Sequence, residues 1–124
     1  MLVKAIHAGL AQIILLGDAL TRPRPQQRSA QGQAKVNAEA AQLSLYQFHA
    51  CPFCVKTRRA MRRLNVPITL HDAKRDPEAR ARLLAGGGKV KVPCLRIDDA
   101  QGTRWMYESN DIIAYLEQRF AGVA

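Results

Sequence analysis

The segment Leu43-Ser-Leu-Tyr-Gln-Phe-His-Ala-Cys-Pro-Phe-Cys54 joins a pattern typical of a strand to one typical of a helix start. Apolar and polar side chains largely alternate up to Phe48, and strand formers predominate, so this part predicts a β-strand. Proline suits the first turn of a helix, and Pro52 therefore predicts a helix that begins directly after Cys51. A C-x-x-C pair at a strand-to-helix junction is typical of redox-active cysteines.

The remaining sequence continues the alternation of helices and strands. The predicted elements after the first strand are a helix over residues 51–64, a strand over 67–70, a helix over 76–84 with the glycines 86–88 as its stop, strands over 92–97 and 103–107, and a last helix with Ser109 as its N-cap and with Ile112, Ile113, Tyr115, Leu116 and Phe120 on its apolar face. The order β-α-β-α-β-β-α predicts an α/β domain with a βαβ unit, a hairpin and a final helix.

Length and charge limit the classes of protein to consider. The chain has 124 residues, of which 48% are hydrophobic, so a single folded domain is expected rather than general disorder. The net charge of +9 is spread over the whole chain and favours anionic partners. The first domain helix carries four arginines, but no base-reading motif is present and aromatic residues make up only 6%, which argues against nucleic acid as the partner.

Residues 1–42 differ in composition from residues 43–124, and we divide the chain there. Residues 2–20 predict an apolar amphipathic helix whose polar stripe is narrow and contains Lys4, His7, Ala11 and Asp18. No uncharged run of eighteen residues occurs and no small-x-small cleavage site follows, so neither a spanning helix nor a signal peptide is expected. Pro23 and Pro25 end this helix, and the stretch up to residue 42 is either a polar helix or a linker.

The apolar helix allows three interpretations. It can lie on a membrane surface, where Arg22, Arg24 and Arg28 would add attraction to anionic lipid. It can instead contact a partner or a second copy of the chain, or it can cover the core of its own domain. We therefore expect a cytoplasmic protein, with peripheral membrane contact or self-association through residues 2–20.

The position of the C-x-x-C pair gives the two thiols different roles. Cys51 precedes the helix, where free backbone N–H groups and the positive end of the dipole stabilise a thiolate, and Lys56 and Arg58 add positive potential. Cys54 lies one helical turn on and can close a disulfide with Cys51. A zinc site is the alternative, with Cys94, His49 and His71 as further ligands. Because no second paired motif supports it, we expect no metal.

Three motifs together resemble the glutaredoxin family, in the variety whose thioredoxin-like domain is similar to the N-terminal domain of glutathione transferases. They are Cys51-Pro-Phe-Cys54, Val92-Pro93 and Glu108-Ser109, within residues 43–120. The resemblance implies a thioredoxin-like fold with a mixed four-stranded sheet, here with an extra N-terminal helical segment, and glutathione as co-substrate. It also implies a cis peptide bond at Pro93 and a glutathione site made of Phe53, Val92, Pro93, Glu108, Ser109 and Asn110.

Within that site, the resemblance assigns each position a part of glutathione. Val92 would pair with the cysteinyl part, Glu108 and Ser109 would hold the γ-glutamyl end, and Phe53 would flank the sulfur. Phe48 stands where many family members have a lysine for the glycine carboxylate, so Lys56, Arg58 and Lys91 become the candidates for that role.

The function implied by the resemblance is that of a glutathione-dependent thiol–disulfide oxidoreductase. Through Cys51 and Cys54 it would reduce protein–glutathione mixed disulfides and protein disulfides, in electron transport and cell redox homeostasis. The alternatives are a glutathione transferase-like protein and a membrane- or partner-tethered module whose C-x-x-C is structural or binds metal. Cys94 is either a buried strand residue or a third redox thiol.

Overall fold

The computed structural model describes residues 2–124, except for the side chains of residues 2–5 and of His7. Two members of the predicted polar stripe, Lys4 and His7, therefore lie outside the described side chains. Over the described residues, the elements are α1 (Leu2–Leu20), α2 (Ala30–Ala40), β1 (Leu43–Gln47), α3 (Pro52–Leu64), β2 (Thr69–Asp72), α4 (Pro77–Gly87), β3 (Cys94–Asp99), β4 (Gly102–Tyr107) and α5 (Ser109–Phe120).

The strands form one mixed sheet in the order β2-β1-β3-β4. β1 runs parallel to β2, with Leu45 opposite Leu70, and antiparallel to β3, with Leu45 opposite Leu95. β3 and β4 form an antiparallel hairpin. The predicted α/β class, the element order, the mixed four-stranded sheet and the N-terminal helix are therefore confirmed.

Proline chemistry accounts for two predicted strands that lie too early in the sequence. β2 begins at Thr69 rather than at residue 67, and β3 begins at Cys94 rather than at residue 92. Pro67 and Pro93 have no N–H to donate to a neighbouring strand, so regular pairing starts after each of them.

Two predicted helix boundaries are wrong. Ser109 is the first residue of α5 and not its N-cap, because Glu108, with φ 71°, already makes the turn out of β4. The glycines 86–88 do not end α4 at residue 84, since α4 continues to Gly87 and ends at Gly88, with φ 89°. A Cβ added at Gly86 or Gly87 would clash with Trp105 or Tyr107, so these glycines allow α4 to approach β4 closely.

The sheet is buried on both faces. On one face, β1 and β3 pack against α2, α3 and α5 through Leu43, Leu45, Leu95, Ile97, Met61, Leu64, Ile112, Leu116 and Phe120. On the other face, a smaller cluster joins the sheet to α4 through Tyr46, Cys94, Ala73, Ala79 and Leu83. Leu45 and Tyr46 are adjacent in the chain and enter opposite clusters, as the pleat of a strand requires.

α2 contributes to the core that it shares with residues after 42. Val36 and Ala40 are fully buried in the cluster formed by α3, α5, β1 and β3. Before α2, Arg28 donates hydrogen bonds to the carbonyl oxygens of Phe120 (3.0 Å) and Val123 (2.8 Å), just at and beyond the C-terminal end of α5. The segment before β1 is therefore a packed helix rather than a loose linker, while the division at residue 42 stays a prediction.

α1 packs on α3 through its polar stripe. Arg59 of α3 forms an ion pair with Asp18 at 3.1 Å and donates to the carbonyl oxygen of Thr21 at 2.8 Å. The large apolar side chains turn away from the body, and more than half of the surface of each is exposed for Ile6, Leu10, Ile13, Leu16 and Leu20. The interpretation in which this apolar face covers the chain's own core is therefore wrong. No helix within residues 2–124 combines the length and apolarity needed to cross a bilayer.

The burial of α2 predicts a specific loss of stability. We expect Val36→Ala to lower the free energy of unfolding by about 2 kcal/mol, because it removes buried methyl groups and leaves a cavity. Lys35→Ala, at the neighbouring exposed position, should change it by less than about 0.5 kcal/mol. Urea denaturation of the full chain measures both. Equal effects from the two substitutions would show that α2 does not belong to the core.

Candidate active site

Cys51 stands at the N-terminal end of α3 as its capping residue. Its backbone is extended, with φ −68° and ψ 127°, and Pro52 is the first helical residue. The carbonyl oxygen of Cys51 accepts the first helical hydrogen bond from the N–H of Val55 at 2.8 Å. The Cys51 side chain is half-buried. This position sets the sulfur beside the positive end of the helix dipole, which favours a thiolate.

Cys54 is fully buried one turn further along α3. Burial raises the pKa of its thiol to about 12, and the neighbouring Cys51 sulfur adds to the rise. The N–H of Phe48 donates to the Cys54 sulfur at 3.5 Å, which acts in the opposite direction. At neutral pH, Cys54 is therefore a protonated thiol next to the more exposed Cys51.

Arg58 holds the loop between β1 and α3. Its guanidinium group donates to the carbonyl oxygens of His49 (2.6 Å) and Phe48 (3.4 Å) and to the side chain of Gln47. Lys56, the other cation predicted to support Cys51, donates to the side-chain oxygen of Asn110. Arg58 therefore fixes the backbone that carries Cys51, and Lys56 connects α3 with the start of α5.

A cavity of about 320 Å³, here called the Pro93 cavity, lies between the loop before β3 and the start of α5. The Val92–Pro93 peptide bond in its wall is cis, and Pro93 is buried. The cavity brings together the six predicted glutathione-binding residues and one of the three candidate cations: Phe53, Val92, Pro93, Glu108, Ser109, Asn110 and Lys91.

The start of α5 provides both signs of charge at the Pro93 cavity. Ser109 is buried in the first turn of α5, where backbone N–H groups have no helical partner and favour an anion. Lys91 pairs with Glu108 at 2.6 Å, and this hydrogen bond and charge hold the pKa of the Glu108 carboxyl below its usual value. Glu108 also lies at φ 71°, a backbone region that is costly for a residue other than glycine and is found at functional sites.

A second cavity, here called the α1 cavity, measures about 420 Å³ and has Cys51 in its wall. It lies between α1, the loop that precedes α3, and the end of β2. The sequence analysis did not anticipate this cavity, although Ala11 in its wall belongs to the predicted polar stripe by which α1 faces the body. The two cavities share no lining residue, and Pro52 borders one while Phe53 borders the other.

The third cysteine and the histidines lie apart from this arrangement. Cys94 is a fully buried strand residue, and burial raises the pKa of its thiol to about 11. His49 belongs to the loop before Cys51, and His71 stacks on Tyr46 with ring centroids 4.8 Å apart. Within residues 2–124, no three His, Cys, Asp or Glu side chains group in a way that could hold a metal ion.

Comparison with known proteins gives consistent relatives. Residues 45–124 match the family described as glutathione S-transferase, N-terminal domain. Glutaredoxin 2 of Escherichia coli is 35% identical over 77 residues, which cover 61% of this chain and 33% of that protein. The chain thus spans about a third of the length of the curated relatives that it matches.

Solved structures show the same fold. Glutathione transferase Omega 3C from Trametes versicolor aligns with a TM-score of 0.54 and 17% identity, over 80% of this chain and 43% of that one. Wheat glutaredoxin aligns with a TM-score of 0.49 and 20% identity, over 72% of this chain and 84% of that one. Since the family match covers most of the sequence, this chain belongs to the glutathione S-transferase N-terminal domain family, with its thioredoxin-like fold and a glutaredoxin as a relative.

Proposed function

We propose that this protein is a glutathione-dependent thiol–disulfide oxidoreductase that reduces protein–glutathione mixed disulfides and protein disulfides. The observation that carries the proposal is the start of α3, where the half-buried Cys51 stands next to a cavity lined by all six predicted glutathione-binding residues. E. coli glutaredoxin 2, at 35% identity, supports the redox assignment.

The proposed reaction with a mixed disulfide needs Cys51 alone. The Cys51 thiolate attacks the glutathione sulfur, the bond between the two substrate sulfurs breaks, and the substrate leaves as a thiolate that takes a proton from water. Cys51 now carries glutathione through a disulfide. A second glutathione thiolate attacks the sulfur of the bound glutathione, which releases oxidised glutathione and restores the Cys51 thiolate.

Reduction of a protein disulfide adds a step at Cys54. Cys51 first forms a mixed disulfide with the substrate protein, and Cys54 then attacks the Cys51 sulfur to release the second substrate thiolate. Cys54 must lose its proton for this attack, and burial raises its thiol pKa to about 12. The departing thiolate can accept that proton. The high pKa slows the closing of the disulfide and gives glutathione time to complete the one-cysteine route.

The Pro93 cavity suits the charges of glutathione. The free N–H groups at the start of α5 offer a site for the γ-glutamyl carboxylate, with the ionised Glu108 for the adjoining ammonium group. Of the three candidate cations for the glycine carboxylate, we assign Lys91, because it lines this cavity. Arg58 donates instead to the loop before Cys51, and Lys56 to Asn110.

The cellular setting is part of the same proposal. We place the reaction in the cytoplasm, where glutathione keeps thiols reduced, with a role in electron transport and redox homeostasis. Membrane contact or self-association through residues 2–20 stays a prediction. The family also contains transferases, and conjugation of glutathione to an electrophile without disulfide reduction would favour that alternative.

Serine substitutions separate the two cysteines. We expect Cys51→Ser to reduce deglutathionylation about 1,000-fold or more, because the nucleophile is lost. Cys54→Ser should keep this activity within about threefold but lose protein disulfide reduction. The assay couples oxidised glutathione to glutathione reductase, and Cys94→Ser serves as the thiol-removal control. Equal loss from Cys51→Ser and Cys54→Ser would point to a strictly dithiol mechanism.

The burial of the other two thiols predicts selective alkylation. At pH 7.5 iodoacetamide should modify Cys51 of the folded chain first, while Cys54 and Cys94 stay protonated because burial raises their thiol pKa values to about 12 and about 11. Urea should open all three thiols to reagent. Mass spectrometry of digested protein measures the order.

The same pKa values fix the direction of a pH effect on stability. Both folded-state pKa values exceed the ordinary thiol value of 9.0. The contribution of these thiols to stability is therefore present below pH 9 and is lost as the pH rises toward 12. Alkylation of Cys54 as fast as Cys51 in the folded chain would contradict this protection.

Lys91 should act on glutathione binding. We expect Lys91→Ala to raise KM for the glutathione mixed disulfide about three- to tenfold with little change in kcat, since a half-exposed ion pair is lost equally in ground and transition states. Lys91→Arg should restore most of the binding. Lys35→Ala removes the same charge from exposed α2 and should leave KM unchanged. Equal KM values for Lys91→Ala and Lys35→Ala would remove Lys91 from the site.

A further inference from the structure

The α1 cavity has apolar walls on two sides and the nucleophile in a third. Leu10, Ile14 and Leu15 line it from α1, and Phe48 and Pro52 line it from the loop that carries Cys51. Its volume of about 420 Å³ lies in the range of sites for small molecules. An apolar space that opens on a reactive sulfur can select the group attached to an incoming sulfur atom.

The start of α3 separates the α1 cavity from the Pro93 cavity. Cys51 and Pro52 line the α1 cavity, whereas Phe53, the next residue, lines the Pro93 cavity. Exchange at a disulfide is a displacement in which the attacking and leaving sulfurs lie on opposite sides of the central sulfur. With Cys51 as the central sulfur, glutathione in the Pro93 cavity requires the other thiol on the far side.

The opening of the α1 cavity is cationic. Lys74 and Arg75 are exposed at the end of β2 and line the cavity together with Asp72. The Asp72 carboxylate accepts hydrogen bonds from the backbone N–H groups of Lys74 (2.9 Å) and Arg75 (3.1 Å). The two side-chain cations therefore give the opening a net positive charge, which suits an acidic group at the outer end of an apolar ligand.

We infer, on the basis of the function proposed above, that the α1 cavity binds the apolar substituent of a small aromatic carboxylate thiol while that thiol is disulfide-bonded to Cys51. The Cys51 thiolate attacks such a disulfide, forms a bond to one sulfur and expels the other half as a thiolate, which water protonates. A glutathione thiolate then attacks the Cys51 sulfur and expels the bound thiol. This leaves glutathione on Cys51, and a second glutathione reduces that disulfide.

Adduct formation at Cys51 tests the cavity without any glutathione. The Cys54→Ser chain is mixed with bis(4-carboxybenzyl) disulfide or bis(2-hydroxyethyl) disulfide, and mass spectrometry follows the rate of the Cys51 adduct. The same rates in urea correct for the intrinsic reactivity of each reagent. After this correction, we expect the carboxybenzyl reagent to react about tenfold faster with the folded chain. Equal corrected rates would overturn the inference.

A matched pair of substitutions locates the effect. Ala11→Trp should fill the cavity and remove the preference for the carboxybenzyl reagent, while the rate with the hydroxyethyl reagent stays unchanged. Ile13→Trp adds the same side chain to a position of α1 that is 69% exposed and should keep the preference. Leu15→Ser makes the wall polar without adding volume and should lower the preference. Retention of the preference in Ala11→Trp and Leu15→Ser would overturn the assignment.

The glutathione-coupled assay distinguishes this inference from the proposed function. An adduct preference without glutathione-dependent turnover would overturn the oxidoreductase proposal and leave the α1 cavity as a thiol site. Turnover without the adduct preference would leave the proposed function intact and overturn the cavity assignment.

Discussion

The burial of β1 on both faces is the constraint on which the site depends. Leu45 enters the core under α3 and α5, and Tyr46 enters the core under α4, so a shift of one residue in register would place each side chain on the wrong face. The fixed end of β1 determines where the chain leaves the sheet. Arg58 then holds the following loop through its carbonyl oxygens, and Cys51 reaches the start of α3 in one position.

The difference between the two active-site thiols follows from the same packing. Cys54 lies on the side of α3 that faces the protein interior and is fully buried, whereas Cys51 stays half-buried at the end of the helix. Burial penalises the thiolate of Cys54, and the helix dipole favours the thiolate of Cys51. Since α5 also begins at the Pro93 cavity, two helix ends favour anions near one sulfur, and the net charge of +9 adds to this attraction.

Local patterns predicted the element order and brought the site residues onto one list, because strand alternation, helix starts and short motifs are properties of neighbouring residues. The contacts that complete the site are long-range. Nothing in the sequence distinguished Lys91 from Lys56 and Arg58, since the choice depends on which loop faces α5. The alanine-rich α2 has a weak apolar pattern, so the full burial of Val36 depends on tertiary packing that no local pattern contains.

The orientation of α1 shows why amphipathicity alone misplaced that helix. An apolar stripe normally turns inward, but Asp18 lies on the opposite face, and its mostly buried carboxylate pairs with Arg59 of α3. Turning the helix over would leave both charges without each other at the surface of α3, at a cost that scattered apolar contacts must exceed. The ion pair therefore fixes the polar stripe against the body. As a consequence, Ala11 and its neighbours Ile14 and Leu15 lie over the loop of Cys51, so a helix outside the matched family region forms part of the approach to the reactive sulfur.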